Sequence, residues 1–414
     1  MAPKAAYSFT LPSIEDDTVL DCRIYHPADL ESMIFDTEQL VKGAVVAHPY
    51  APLGGSYDDP VVLTVAQTLL DQGLVVATFN FRGAGASQGK SSWSGRGEVD
   101  DFVSVVGFLV WYLQCLNDEG DSGDDAGADG HEMLEILLAG YSYGALILAR
   151  LPEMSSIVQR LQVAELGTAG AEIILRARTL AKQTLQAPED QADSSRGRPS
   201  RAGKFGTESP WPKSSAIKVG GEETPSTDRR RSRDSRRSVD FVRRSVEAPS
   251  RIKQHLRKHS DERAVRARPQ SARPKTANAV VTKTGPRVTA RYLVISPVLL
   301  PIPFTTILAP PGVPGMSFGH RRVASEDHAA GVLFTRHPTL VLFGTKDTFI
   351  SDKQLRLWGE KLQKASKVND FRWKQIQDAG HFWREEGAMT RLQDVVASWV
   401  RLQGCRAPHI GYSG

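Results

Sequence analysis

A serine set between two glycines constrains this chain more than any other feature. The run Gly140-Tyr141-Ser142-Tyr143-Gly144 follows the continuous apolar stretch Leu134 to Leu138 and leads into a helical pattern from Tyr143. An apolar run of strand length reads as a strand buried on both faces. Passing from such a strand straight into a helix demands a turn so tight that only small residues fit beside the serine, and Gly140 and Gly144 supply them. The hydroxyl then sits at the start of a helix, where free N–H groups favour a developing negative charge. An ordinary Gly-rich turn capped by serine would need no chemical partners downstream; a nucleophile would.

The surrounding pattern agrees with a strand in that position. Tyr7 to Leu11 and Thr18 to Tyr25 are β-prone runs split by the acidic turn Glu15-Asp16-Asp17, which reads as an entry hairpin. Gly43 to Ala47 is a short apolar run followed by His48-Pro49 and a Gly-rich loop. Pro60 to Gln72 places Val61, Val62, Val65, Leu69 and Leu70 on one side of a helix. Leu74 to Asn80 reads as a strand opening into Arg82-Gly83-Ala84-Gly85-Ala86-Ser87, and Glu98 to Leu116 as a long amphipathic helix. Later come the helical stretch Glu172 to Leu185, strands at Tyr292 to Ser296, Thr339 to Phe343 and Phe371 to Ile376, and a closing helix over Met389 to Leu402. Alternation of this kind predicts an α/β fold with a mostly parallel central sheet and helices on both faces.

One segment breaks the rhythm. Between Gln191 and Ala290 there are 25 Lys and Arg against 10 Asp and Glu, so the net charge of +5 belongs to this stretch and the rest of the chain is acidic. Rich in Ser, Arg, Pro and Gly and poor in large apolar residues, it cannot bury enough surface to offset its ordering entropy. The expected organisation is one α/β domain in two halves, residues 1–187 and 288–414, around a disordered basic insertion over 188–287. The two halves hold roughly 310 residues, enough for one sizeable core.

The basic blocks Arg229-Arg230-Arg231 and Arg236-Arg237, with Ser238 and Ser245 nearby, have no interleaved aromatic residues to stack on bases. A solvated spacer is expected rather than a nucleic-acid site, although the blocks could serve an acidic partner or nuclear import. The acidic loop with Asp118, Asp121, Asp124, Asp125 and Asp129 lacks EF-hand spacing. Gly89-Lys90-Ser91 lacks the first glycine of a P-loop, since position 84 is Ala. Three scattered cysteines, Cys22, Cys115 and Cys405, build neither a disulfide framework nor a metal pair. Met1 to Thr10 has no apolar core of leader length, and no run reaches the roughly 18 consecutive apolar residues of a spanning helix. A cytoplasmic protein with no metal or organic cofactor and no membrane association is expected.

A nucleophilic serine needs a base, and the base an orienting acid, in the chain order Ser, acid, His. The strand Thr339 to Phe343 ends in Gly344-Thr345-Lys346-Asp347, which puts a carboxylate on the same rim as the serine, with Asp352 the nearest substitute. The strand from Phe371 runs into Ala379-Gly380-His381, where the base belongs; His320, His328 and His337 precede Asp347 and break the order. Ser142, Asp347 and His381 are therefore the expected triad.

On these residues, together with His48-Pro49-Tyr50-Ala51-Pro52-Leu53-Gly54-Gly55 and Asn80 to Ser87, the chain resembles the α/β-hydrolase superfamily. It is most similar there to small hydrolases grouped near dienelactone hydrolase and the Xaa-Pro dipeptidyl-peptidase-like domain. The resemblance implies an oxyanion hole with the backbone N–H of Tyr143 as one donor. The second comes from the loop after His48, where relatives often read His-Gly. Pro49 stands in place of that glycine and has no N–H to give, so Tyr50, with Ala51 as the alternative, has to supply it. A cap over the pocket is a further implication, drawn from Glu172 to Leu185 and Pro297 to Pro314, unless these merely cover the sheet. The implied activity is hydrolysis of a small ester or thioester through an acyl-enzyme. The alternatives are a peptidase of aminopeptidase or dipeptidyl-peptidase type, which needs an acidic pair at its pocket, and a non-catalytic binding protein on the same fold.

Overall fold

The short strand β3 (Gly43–Ala47) shows why the sheet must be covered twice. Successive side chains of a strand point to opposite faces. Here Val45 and Ala47 join one apolar cluster and Ala44 and Val46 another, and all four are buried. In the computed structural model, which describes residues 2–36, 40–92, 95–118, 133–194, 285–299, 332–366 and 370–404, both clusters are closed by helices. On one face lie α2 (Pro60–Leu70) and α9 (Ala388–Gly404), and on the other α3 (Arg96–Asp118), α5 (Met154–Gln162), α6 (Ala169–Ser194) and α8 (Asp352–Ala365). The short helices α1 (Leu30–Ile34), α4 (Tyr143–Leu148) and α7 (Val332–Arg336) fill out the cluster that holds Val45 and Ala47.

The sheet has eight strands in the order β1-β2-β4-β3-β5-β6-β7-β8. The entry hairpin β1 (Tyr7–Pro12) and β2 (Val19–Tyr25) pairs antiparallel, and β2 joins β4 (Val75–Phe79) antiparallel as well. From β4 onward every pairing is parallel, through β3, β5 (Leu134–Tyr141), β6 (Val288–Ile295), β7 (Thr339–Lys346) and β8 (Phe371–Gly380). Strands β5 and β6 come from opposite sides of the basic insertion and are direct neighbours, from Leu134 opposite Val288 to Tyr141 opposite Ile295. The insertion itself lies almost wholly outside the described residues; α6 runs on to Ser194, past the boundary expected at 187.

Helix α3 is long and apolar enough to cross a membrane by length and composition, but 72% of its apolar window is buried inside the fold. Burial of Phe102, Val105, Val106, Leu109 and Leu113 against the sheet accounts for its apolar content. Helix α6 packs along α3 and β1, with Arg176 bonded to Thr10 and Glu172. Its described side chains cover the sheet and none of them lines the cleft beside Ser142, as the sheet-covering alternative expects. The other expected cap segment, 297–314, is described only to residue 299.

Candidate active site

Ligand-bearing edges of parallel sheets lie beyond the carboxyl ends of the strands. Ser142, Asp347 and His381 follow the ends of β5, β7 and β8 and so arrive on one rim. Ser142 adopts φ 55° and ψ −112°, a conformation that non-glycine residues rarely hold, between the last residue of β5 and the first of α4. The glycines around it are required by backbone contact. A Cβ on Gly140 would lie 2.5 Å from the Gly144 carbonyl oxygen, and one on Gly144 would lie 2.6 Å from the Ala47 carbonyl oxygen. These atoms are backbone on both sides, so Gly144→Ala is expected to lower folding stability by about 3 kcal/mol or more, the upper end of overpacking costs. Denaturant titration against the wild type checks it.

Although Ser142 and His381 are 239 positions apart, His381 Nε2 is 2.8 Å from Ser142 Oγ. His381 Nδ1 is 2.8 Å from Asp347 Oδ2, and the two side chains are 3% and 0% exposed. The other carboxylate oxygen, Asp347 Oδ1, accepts from the N–H groups of Phe349 at 2.9 Å and Ile350 at 3.2 Å. Asp347 thus closes its own turn and faces the imidazole at once. Asp352 is the first residue of α8 and meets Gln375 instead. Rings surround the His381 imidazole: Phe349 at 4.4 Å, Phe382 at 5.4 Å and Tyr141 at 5.9 Å between centroids. The Tyr141 hydroxyl donates to the His381 carbonyl at 3.0 Å.

The cleft over Ser142 has a volume of about 310 Å³. Tyr50 and Tyr143 line it side by side, their rings 4.9 Å apart, with the loop Leu53-Gly54-Gly55 beyond. Burial, with the Glu98 charge behind it, holds both phenols above their ordinary range. The two residues expected to carry oxyanion donors therefore line the same cleft as Ser142. Helix α4 has only six residues, so its local N–H groups, not a long helix dipole, would meet an anion here. His48 stays out of the cleft. It is fully buried, its Nε2 accepts from Phe81 N–H at 2.9 Å, its Nδ1–H faces the Pro49 carbonyl, and burial pushes it down to about 4.

Several cleft residues escaped the sequence pattern. Phe349, Phe382 and Arg384 line the cleft with His381, and Asp58 and Asp59 line it too, Asp59 within electrostatic reach of Arg384 and His381. Asp59 could have been found, because Asp-Pro before an apolar helix is a start signal: it accepts from Val61 N–H at 2.8 Å at the head of α2. Among the described residues no cluster of His, Cys, Asp or Glu is placed to hold a metal ion.

The sheet order, the strained turn at Ser142 and the positions of Asp347 and His381 after later strands are those of the α/β-hydrolase fold. No family model matches the chain. It is 34% identical over 108 residues to the uncharacterised protein RP471 of Rickettsia prowazekii (strain Madrid E), a match spanning 26% of this chain and 38% of that one. Solved structures similar to it include an α/β serine hydrolase homologue from Coxiella burnetii, 14% identical with a TM-score of 0.41, covering 96% of this chain and 99% of that one. Another is XC6422 from Xanthomonas campestris, described as an α/β serine hydrolase without lid, 15% identical with a TM-score of 0.41 and 98% of each chain covered. Est1E from Butyrivibrio proteoclasticus, solved with ferulic acid, is 11% identical with a TM-score of 0.41, covering 96% of this chain and 99% of that one.

Proposed function

We propose that the protein is a serine hydrolase that cleaves a small carboxylic ester or thioester through an acyl-enzyme on Ser142. The observation that carries this reading is the buried imidazole of His381, in hydrogen-bond contact with both Ser142 and Asp347. His381 takes the proton of the Ser142 hydroxyl as its oxygen attacks the carbonyl, and passes it to the leaving alkoxide or thiolate. Asp347 holds the tautomer with the proton on Nδ1 and stabilises the imidazolium. The N–H of Tyr143 and that of the Tyr50 segment stabilise the tetrahedral oxyanion. Water, deprotonated by the same imidazole, then releases the acid and restores Ser142. This chemistry needs no metal or organic cofactor.

The peptidase alternative has one observation in its favour, the acidic residues Asp58 and Asp59 on the rim. Both carboxylates have other work. Asp58 is paired with Arg23 at 2.6 Å, and Asp59 caps α2. A substrate amine would compete with these contacts, so the ester reading stands first.

Labelling with a fluorophosphonate probe tests the nucleophile without assuming a substrate. The wild type should be labelled and Ser142→Ala should not. A folded wild type that resists the probe would overturn the hydrolase reading in favour of a binding protein on this fold.

A further inference from the structure

Two non-glycine residues with positive φ stand beside the site and hold each other. Ser296, directly after β6, has φ 43°, and Trp383, two positions beyond His381, has φ 56°. A bulky side chain at such an angle is an outlier that persists only where its surroundings over-determine it. Here the two side chains meet: Trp383 Nε1 donates to Ser296 Oγ at 3.1 Å, with the residues 2% and 0% exposed.

The place where Ser296 is anchored gives this contact its meaning. The Ser296 N–H donates to the Leu342 carbonyl of β7 at 2.8 Å, while the preceding carbonyl, that of Ile295, accepts the N–H of Ser142 at 2.9 Å. Two adjacent residues at the end of β6 therefore hold both members of the reacting pair. Ile295 fixes the backbone of Ser142, and Ser296 fixes the segment that carries His381. Among the described residues that segment is also held by the Tyr141 hydroxyl on the His381 carbonyl, by Asp347 Oδ2 facing His381 Nδ1 and by Glu385, which accepts the N–H of Gly380. The Tyr141 bond joins His381 to β5, directly before Ser142, and among the described residues the indole bond is the side-chain link that joins this segment to β6, whose Ile295 carbonyl holds the Ser142 N–H.

We propose that Ser296 and Trp383 are positioning residues, a buried hydrogen-bonded pair that sets His381 against Ser142 and keeps two strained backbone positions to do so. This rests on Ser142 being the nucleophile. A competing role for Trp383 is plain packing, since it also belongs to the apolar cluster under α9. The two roles part at Ser296. Ser296→Ala keeps the strained backbone and leaves the buried indole N–H unpaired, whereas Ser296→Gly removes the same hydroxyl and relieves the strain.

The experiment is to measure kinact and KI for fluorophosphonate labelling, with thermal midpoints, for wild type, Ser296→Ala, Ser296→Gly and Trp383→Phe. Positioning predicts that kinact falls about 10-fold or more in all three variants with KI little changed, as expected when reacting atoms are misplaced rather than substrate lost. It also predicts a thermal midpoint for Ser296→Gly at or above that of Ser296→Ala, so that reactivity and stability separate. A Ser296→Gly protein labelled at the wild-type rate, or kinact values that follow the midpoints across the set, would overturn the proposal while leaving the nucleophile in place. Wild-type protein that is not labelled at all would remove the nucleophile and the positioning role together.

Discussion

Asp347→Asn is expected to leave the fold in place and slow labelling of Ser142 by about 10⁴-fold, the scale seen when a triad carboxylate is replaced by its amide. The geometry says why so small a change does so much. Asp347 Oδ1 accepts two backbone N–H groups, from Phe349 and Ile350, while Oδ2 faces His381 Nδ1. In the variant, the amide oxygen keeps the two backbone donors and the NH₂ is left to point at Nδ1. An NH₂ donates, so Nδ1 must become the acceptor and the imidazole proton moves to Nε2. That nitrogen then has no lone pair for the Ser142 hydroxyl. Turning the amide over restores the tautomer but sets NH₂ against two N–H groups in a site with no exposure, a buried mismatch that costs about 1–3 kcal/mol. Labelling rates and thermal midpoints for Asp347→Asn, with Asp352→Asn as the control, decide the matter. If Asp347→Asn labels at close to the wild-type rate, Asp347 is only the cap of its own turn.

The positions of Ser142, Asp347 and His381 were legible because each carries a local signature of the same rim. Ser142 had glycines on both sides, Asp347 followed a Gly-containing strand end, and His381 followed Gly380. Strand ends were read short at β5, β7 and β8, for a common reason. Gly140, Gly344 and Gly380 look like turn residues, yet they extend the ladders, and at Gly140 and Gly344 neighbouring backbone atoms leave no room for a side chain. A Cβ on Gly344 would lie 1.9 Å from the Ala379 carbonyl oxygen. Helix α8 escaped notice because only Leu355, Gly359 and Leu362 of its 14 residues are buried, too narrow a stripe to show as periodicity. Long-range pairing was the least legible of all. Nothing local to Ser296 announces an acceptor for an indole 87 positions away, and Phe349 and Arg384 join the cleft only because β7 and β8 lie side by side. Glu172 to Leu185 was left open between a cap, which the family resemblance implied, and a helix that covers the sheet; α6 packs on α3, and sequence periodicity could not assign its apolar face to one neighbour or another.

Acidification from pH 6.5 to about 4.5 should cost this fold roughly 2–3 kcal/mol for each of two histidines, His48 and His26. Burial pushes both down to about 4 from an ordinary value of 6.5. In the unfolded chain they take up protons as the pH drops below 6.5, while in the native state they stay neutral until about 4. The unfolded state therefore binds more protons throughout that window, and stability falls as pH falls. Geometry supports the direction at His48, since its Nε2 lone pair accepts the buried N–H of Phe81 and protonation would set two donors face to face. At His26 the partner is the hydroxyl of Tyr112, itself bonded to Thr184. Together the two effects reach about 5 kcal/mol, a large share of the 5–15 kcal/mol that holds a typical domain. Carboxylates titrate in the same range, so the test compares urea midpoints at pH 7, 5.5 and 4.5 for wild type and His48→Asn. The amide oxygen of the variant can accept from Phe81 and carries no titrating proton. It should start less stable at pH 7 and lose about 2–3 kcal/mol less than wild type on the way to pH 4.5. Parallel curves for the two proteins would mean that His48 takes up its proton at the same pH in the folded and unfolded states, and the loss would then belong to the other titrating groups.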